Sequence, residues 1–469
     1  MPNATYFRAC CTALLLAALV LTAAAALRGA EYDEQYTLFL TAGTPRPAWP
    51  ATVFPAGSVG QIQSEHATMA GIARDLRATD VHPPLYFWAV SLWRQAFGSG
   101  LLAARMLSVL FGLASIALVG LIARRCAIPP LPAMLLTLGC YGFVHTNAIA
   151  RGFAAAEVLT LSGVALLLGR RRALAGLCFG AACCCNYLAV FVAAAVILAD
   201  GAWIAILAAV PFLAVDAWFF AAQHAARQGQ FPPFALWPSL LRLAEYQVAA
   251  VFGGLPLYVD GDWQAATKAA LAVVALALLV PIARARPWRR HRIVLAAAVA
   301  PPVGLLLLGA VFNNTPIELR YLSFGLPFAA LLAAATLEHR ALALVASLQI
   351  AGVIGLVAAP QTMQPARTAA TEAAHLAGNA IVLLPAGNDG VGIVGSFGVE
   401  APVTLPVLLI RPTDAIAGRI APYRRVALAL LAQDRDSTAA IAAASRVLKP
   451  PNWRRVAIGS NLEVFERGE

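Results

Sequence analysis

Two carboxylates, Asp33 and Glu34, stand just beyond the first long apolar stretch of this 469-residue chain, and the run Asp80-Val81-His82-Pro83-Pro84-Leu85 follows in the same polar loop. With an unperturbed pKa of about 3.9, an Asp is ionised near neutral pH and competent to take a proton from an acceptor hydroxyl, help worth about 10² to 10⁴ in rate. Two consecutive prolines lack N–H donors and clash with a preceding helical turn, so His82 is expected at a rigid corner where a new element begins. Arg105, Arg151 and Arg320 fall at the ends of apolar stretches, where a guanidinium grips phosphate oxygens through paired hydrogen bonds or snorkels to the interface. Glu157 lies inside an apolar stretch. An acid at mid-membrane costs roughly 2.5 to 3.5 kcal/mol, which favours a functional or paired role. Acid, imidazole and guanidinium groups beside a bilayer point to chemistry on a lipid-borne substrate, with a solvated juxtamembrane acid pair as the plain alternative for Asp33 and Glu34.

The elements that must position these groups are membrane helices. Hydrophobic residues make up 60% of the chain and charged residues 12%, against roughly 25% charged in a soluble domain, and the mean hydropathy is +0.74. Apolar runs of about 20 residues recur, the length that crosses a hydrocarbon core as a helix, without the alternation of a β-barrel. The net charge of +11 gathers in short clusters between these runs: Arg124-Arg125, Arg170-Arg171-Arg172, and Arg284 to Arg292. That is the positive-inside pattern with contact to anionic headgroups, and it leaves no need for a nucleic-acid partner.

Placing the clusters in the cytoplasm predicts an N-terminus inside, an external loop over 28–100, and about eleven membrane segments. These are Ala9–Leu27, Leu101–Ala123, Leu131–Ala150, Gly152–Leu168, a broken pair Ala173–Cys185 and Leu188–Leu198 around Asn186-Tyr187, Ala202–Phe220, Ala265–Ala283, Ile293–Phe312, Tyr321–Leu337 and Ala341–Ala359. An outer loop over about 221–263 joins two of them. The first stretch is longer than a signal-peptide core and reads as an uncleaved anchor. The eight cysteines all fall in or beside apolar segments and read as packing residues.

From about Gln364 short apolar runs of strand length alternate with Ala-rich helical stretches, predicting a small α/β domain on the external side. The expected architecture is therefore mainly α: a polytopic transmembrane bundle over 1–360 and a C-terminal α/β domain over 361–469. Gly387-Asn388-Asp389-Gly390 reads as a turn and carries no phosphate-binding signature.

Asp33-Glu34 after the first span and Asp80-Val81-His82-Pro83-Pro84-Leu85 in the same loop resemble the class C glycosyltransferases, in particular the protein O-mannosyltransferases and lipid A aminoarabinose transferases. Ala104-Arg105 with Ser108 to Gly112, and Glu318-Leu319-Arg320-Tyr321-Leu322 with Pro327, add weaker likeness over the membrane portion. The resemblance implies Asp33 as general base, Glu34 as its support or an acceptor-orienting group, and Asp80 and His82 as lining of the same cavity; the span-end Arg105, Arg151 and Arg320, with Tyr321 beside the last and Glu157 inside its span, complete the expected substrate-binding set. It also implies a divalent metal ion at Asp80 and His82 in some relatives. Many relatives carry an acid within four residues after the arginine opening the fourth span; here the nearest is Glu157, nearly two turns beyond Arg151.

The implied function is transfer of a sugar from a polyprenyl-phosphate carrier to a hydroxyl of a lipid, glycan or protein acceptor on the external face of a bacterial-type inner membrane, with inversion and no nucleotide cofactor. Two other readings share the topology: a transporter or flippase, for which an internal repeat of broken helices would speak, and an outer-leaflet glycan polymerase or ligase.

Overall fold

The computed structural model describes residues 2–224, 231–253, 262–358, 365–376 and 380–468. Among these, seven helices are long and apolar enough to cross a membrane: Cys10–Leu27, Leu101–Arg125, Trp203–Gln223, Ala265–Arg284, Arg292–Phe312, Leu319–Thr336 and His339–Ala358. Shorter apolar helices occupy Pro130–Gly139, Phe153–Leu168, Arg172–Cys183 and Ala189–Asp200. Together they match the segments read from the sequence one for one. All eight cysteines are free thiols.

Two local differences have clear causes. Leu131–Ala150 divides into helices Pro130–Gly139 and Tyr141–Asn147, because Cys140 adopts an extended backbone (φ −65°, ψ 119°) between them. The outer loop contains a helix, Leu236–Phe252, that the Pro232-Pro233 and Trp237-Pro238 pairs concealed. Pro238 sits in its first turn, where a missing N–H costs nothing, and Ser239, Leu243 and Ala250 recur on one buried stripe.

The chain forms two compact units. The first comprises Met1–Leu27, Leu76–Ala89 and Arg105–Pro360, and the second Arg28–Asp75, Val90–Ala104 and Gln361–Glu469. The sequence boundary at 360/361 lies outside the described residues, and the external loop, read there with the membrane bundle, contributes most of its length to the second unit.

In the first unit, helices Arg172–Cys183 and Trp203–Gln223 touch through small residues. Gly176 faces the Ala205 carbonyl and Gly180 the Phe212 side chain, a pair spaced four apart as close membrane-helix packing requires.

The second unit is built on a six-stranded sheet: β1 Phe54–Pro55, β2 Ala380–Pro385, β3 Pro406–Ile410, β4 Arg425–Ala429, β5 Trp453–Ile458 and β6 Leu462–Arg467, in the order β1-β3-β2-β4-β6-β5. β2 pairs in parallel with β3 and β4, and the outer pairs are antiparallel. β1 comes from the first loop and lies on β3, with Ala56 and Gly57 N–H groups donating to the Leu405 and Val403 carbonyls at 2.9 Å. Phe39, Phe54, Ala56 and Val59 share one core with Val382, Leu384, Val394 and Phe397. Burying those loop side chains is what draws the segment to the sheet.

Candidate functional site

The His82 corner is held by backbone groups that neighbouring elements leave open. Helix Arg172–Cys183 stops short of Ala189, so the Cys184 carbonyl has no partner in the next turn; the Leu85 N–H donates to it at 3.0 Å. The Gln223 side-chain amide donates to the Leu76 and His82 carbonyls, each at 3.0 Å, and its Oε1 accepts from the Tyr187 hydroxyl at 2.9 Å. Asn186 caps the restart of the helix, its Oδ1 accepting from the Leu188 N–H at 3.0 Å. Pro83 and Pro84 mark the bend, as their chemistry demands.

Three charged candidates meet at this corner. Asp80 Oδ1 lies 2.8 Å from His82 Nδ1 and accepts from the Val81 N–H at 2.6 Å. Arg151 Nη2 lies 3.3 Å from both ring nitrogens of His82. An atom equidistant from both nitrogens at that range sits over the imidazole face, and the same guanidinium lies 6.0 Å from the Phe87 ring centroid. Arg151 is delivered by the bend between Tyr141–Asn147 and Phe153–Leu168; Gly152 permits it, since a Cβ there would collide with the Cys185 carbonyl. Burial opposes the charge on Asp80, but His82, Arg151 and the Val81 N–H outweigh it and hold the carboxyl well below the usual range.

His82 also lines a cavity of about 390 Å³. The corner and the helix break bring Val81, His82, Asn186 and Tyr187 to it; helix Trp203–Gln223 brings Asp216 and Gln223; Asn314 and Tyr321 come from the segment leading into the helix that starts at Leu326. Val190, Phe191, Leu308 and Phe312 supply apolar wall from helices Ala189–Asp200 and Arg292–Phe312. A second cavity of about 690 Å³, between helices that include Leu236–Phe252 and His339–Ala358, holds none of the sequence-predicted residues in its lining.

The other first-unit candidates disperse. Tyr321 and Arg320 belong to the 3-10 turn Leu319–Gly325, with the Arg320 guanidinium 5.4 Å from the Tyr321 ring centroid; Tyr321 reaches the cavity. Arg105 is buried and donates to the Ala25 carbonyl at 2.8 Å, in the last turn of the first helix. Glu157 is buried beside Asn147, neither of its oxygens makes a well-formed hydrogen bond among the described residues, and it does not line the His82 cavity.

Asp33 and Glu34 belong to the second unit. Both lie in the first turn of helix Tyr32–Ala42, where the helix dipole favours carboxylates. Glu34 is fully buried and its Oε2 accepts from the Glu31 N–H at 2.9 Å in a reciprocal cap with Glu31; Asp33 is half-buried. The entry to this helix is fastened by Glu400, which accepts from the Ala30 N–H at 2.7 Å and from Arg367 at 2.8 and 3.1 Å. Arg28 pairs with Glu31.

The Asp80–His82 pair does not fit a divalent metal ion. One carboxylate and one imidazole are the only donors it offers, no cluster of three or more His, Cys, Asp or Glu exists among the described residues, and a guanidinium already covers the imidazole. Asp216, Gln223, Asn314 and Glu400 escaped the sequence reading. For Asp216 the signal was present: an acid inside the run Trp203–Gln223, whose other residues carry no charge.

No family model and no curated protein matches the sequence. Two solved structures of ArnT from Cupriavidus metallidurans do match in three dimensions, each alignment covering 97% of this chain and 97% of the other. The apo form gives a TM-score of 0.52 at 14% identity, and the form bound to undecaprenyl phosphate 0.51 at 12%. The likeness expected from the acid pair and the His-Pro-Pro corner holds at the level of architecture: the chain has the fold of ArnT.

Proposed function

We propose that this protein is a membrane glycosyltransferase that moves a sugar from a polyprenyl-phosphate carrier to an acceptor hydroxyl. The observation that carries the reading is the amphiphilic cavity at His82. Its apolar wall suits an isoprenoid chain, and His82, Tyr321 and the neighbouring amides suit a polar head. The ArnT fold, seen with undecaprenyl phosphate bound in one of its structures, supports the same donor class.

In this mechanism the acceptor oxygen attacks the anomeric carbon as the bond from that carbon to the phosphate oxygen breaks. The hydroxyl proton passes to Asp33, and a single displacement inverts the anomeric centre. Polyprenyl phosphate departs with its negative charge, which His82 as a hydrogen-bond donor and the Arg151 and Arg320 guanidiniums stabilise. Asp80 holds the imbalance of charge at the corner in check, so that an arginine and a histidine sit together without repulsion. Glu34 fixes the helix turn that carries Asp33. No step is routed through a metal. The acceptor is a hydroxyl of a lipid, glycan or protein, and the setting is a bacterial-type inner membrane with the C-terminal region outside.

The test is release of polyprenyl phosphate from radiolabelled polyprenyl-phosphate sugars by protein in nanodiscs. Asp33→Asn is expected to lower kcat by about 10² to 10⁴ with donor KM nearly unchanged. Undiminished turnover removes the base assignment, and absence of release by the unmodified protein across donors removes the function.

A further inference from the structure

Asp216 is the one carboxylate lining the His82 cavity, among the described residues, and no well-formed hydrogen bond from the described residues reaches it. It is 7% exposed, and both of its oxygens are buried without a hydrogen-bond donor. The Cys184 thiol, a weak donor, lies beside it and is shared with the Phe212 carbonyl, 3.4 Å from the sulfur. The polar neighbours are also engaged: the Tyr187 hydroxyl with Gln223, the Gln223 amide with two carbonyls, and the Asn186 oxygen with the Leu188 N–H. A buried polar group left in this condition is unstable unless a ligand completes it, and an ionisable residue facing a cavity inside a membrane domain is a functional site by default.

We propose that Asp216 reads the glycosyl group of the donor, accepting hydrogen bonds from a pair of adjacent sugar hydroxyls. The inference rests on the donor class proposed above. The chemistry narrows the choice within that donor: a carboxylate repels the phosphate, and an isoprenoid chain has no donor to offer, whereas two vicinal hydroxyls present two O–H groups to two carboxylate oxygens. Asp216 is thus a specificity-determining residue, and the phosphate belongs to the cations at the corner.

The experiment measures binding of bare polyprenyl phosphate and of polyprenyl phosphates carrying glucose, mannose, galactose or arabinose to nanodisc-held wild type and Asp216→Asn. Asparagine keeps the size and removes one acceptor and the charge; with no protein partner to lose, the variant is expected to fold, and its melting temperature checks this. In the wild type at least one sugar is expected to tighten binding over the bare lipid by about tenfold or more, the scale of hydrogen bonds to a charged group. Asp216→Asn should erase that gain while binding bare polyprenyl phosphate as the wild type does. An equal loss for bare and sugar-bearing lipid overturns the proposal, as does no loss, or a wild type for which no sugar tightens binding. If the wild type fails to bind bare polyprenyl phosphate, the donor reading itself falls and takes this inference with it; insensitivity of Asp216→Asn with lipid binding intact removes the inference alone.

Discussion

At the scale of single residues, Asp80 shows how a buried acid is kept charged. Burial raises its pKa, while His82, Arg151 and the Val81 N–H lower it further than burial raises it. A carboxyl depressed in the folded state contributes stability that is complete above its unfolded pKa, about 3.9, and disappears as pH falls through the folded value. Asp80→Asn should therefore melt below the wild type from pH 7 down to about pH 4, with the margin closing only in more acid solution. Melting curves across that range check it, and a margin that already closes between pH 7 and pH 5 contradicts the assignment. The corner itself was legible because proline chemistry is local and this pair stands in a polar loop just before a helix; the pair Pro301-Pro302, inside a long apolar run, stays within helix Arg292–Phe312. Span-end position singles out Arg151 and Arg105 alike, yet Arg151 lies against the corner's histidine and Arg105 turns inward to a helix carbonyl, an outcome decided by packing that span-end position does not encode. Hydropathy averaged over a span hides Asp216, one acid among uncharged and mostly apolar neighbours.

At the scale of elements, close packing and buried hydrogen bonds give sharper expectations than propensity does. Gly176→Leu would drive its side chain into the Ala205 carbonyl and force helices Arg172–Cys183 and Trp203–Gln223 apart. Overpacking of this kind costs about 1 to 3 kcal/mol or more, read as a lower melting temperature in detergent; an unchanged value refutes the contact. Arg94, in the last turn of helix Leu85–Phe97, is buried and donates to the carbonyls of Leu38, Gln63 and Ser99 and to the Thr41 hydroxyl. Arg94→Met should lower stability by about 1 to 3 kcal/mol for each carbonyl left without a donor, measured by denaturant or thermal unfolding. The membrane helices were readable from hydrophobic length alone. Helix Leu236–Phe252 was not, since Pro232-Pro233 precede it and Pro238 falls in its first turn, which masks the amphipathic stripe.

At the scale of the whole molecule, the bundle and the α/β region were both visible in the sequence, because mean composition changes sharply after the last span. What composition does not encode is the membership of the first loop, since Phe39, Phe54 and Val59 share their core with strands and helices from Ala366 onward. The consequence is testable by truncation. Removing residues from Pro365 onward should leave the loop core exposed and abolish transfer to every acceptor, with the loop cut by protease in minutes where the intact chain resists. A truncated protein with full activity and a protected loop would show that the loop holds its shape unaided.

The partnership of Tyr36 with Asp389 joins groups 353 positions apart, and β1 is completed only when β3 has been made. At about 5 to 20 residues per second, a ribosome needs roughly 20 to 70 seconds to supply the missing half. During that interval the aromatic side chains of the nascent loop lack the strands and helices that cover them in the folded chain. Biogenesis of this chain therefore leaves an apolar loop open for far longer than a bundle with a self-sufficient loop would.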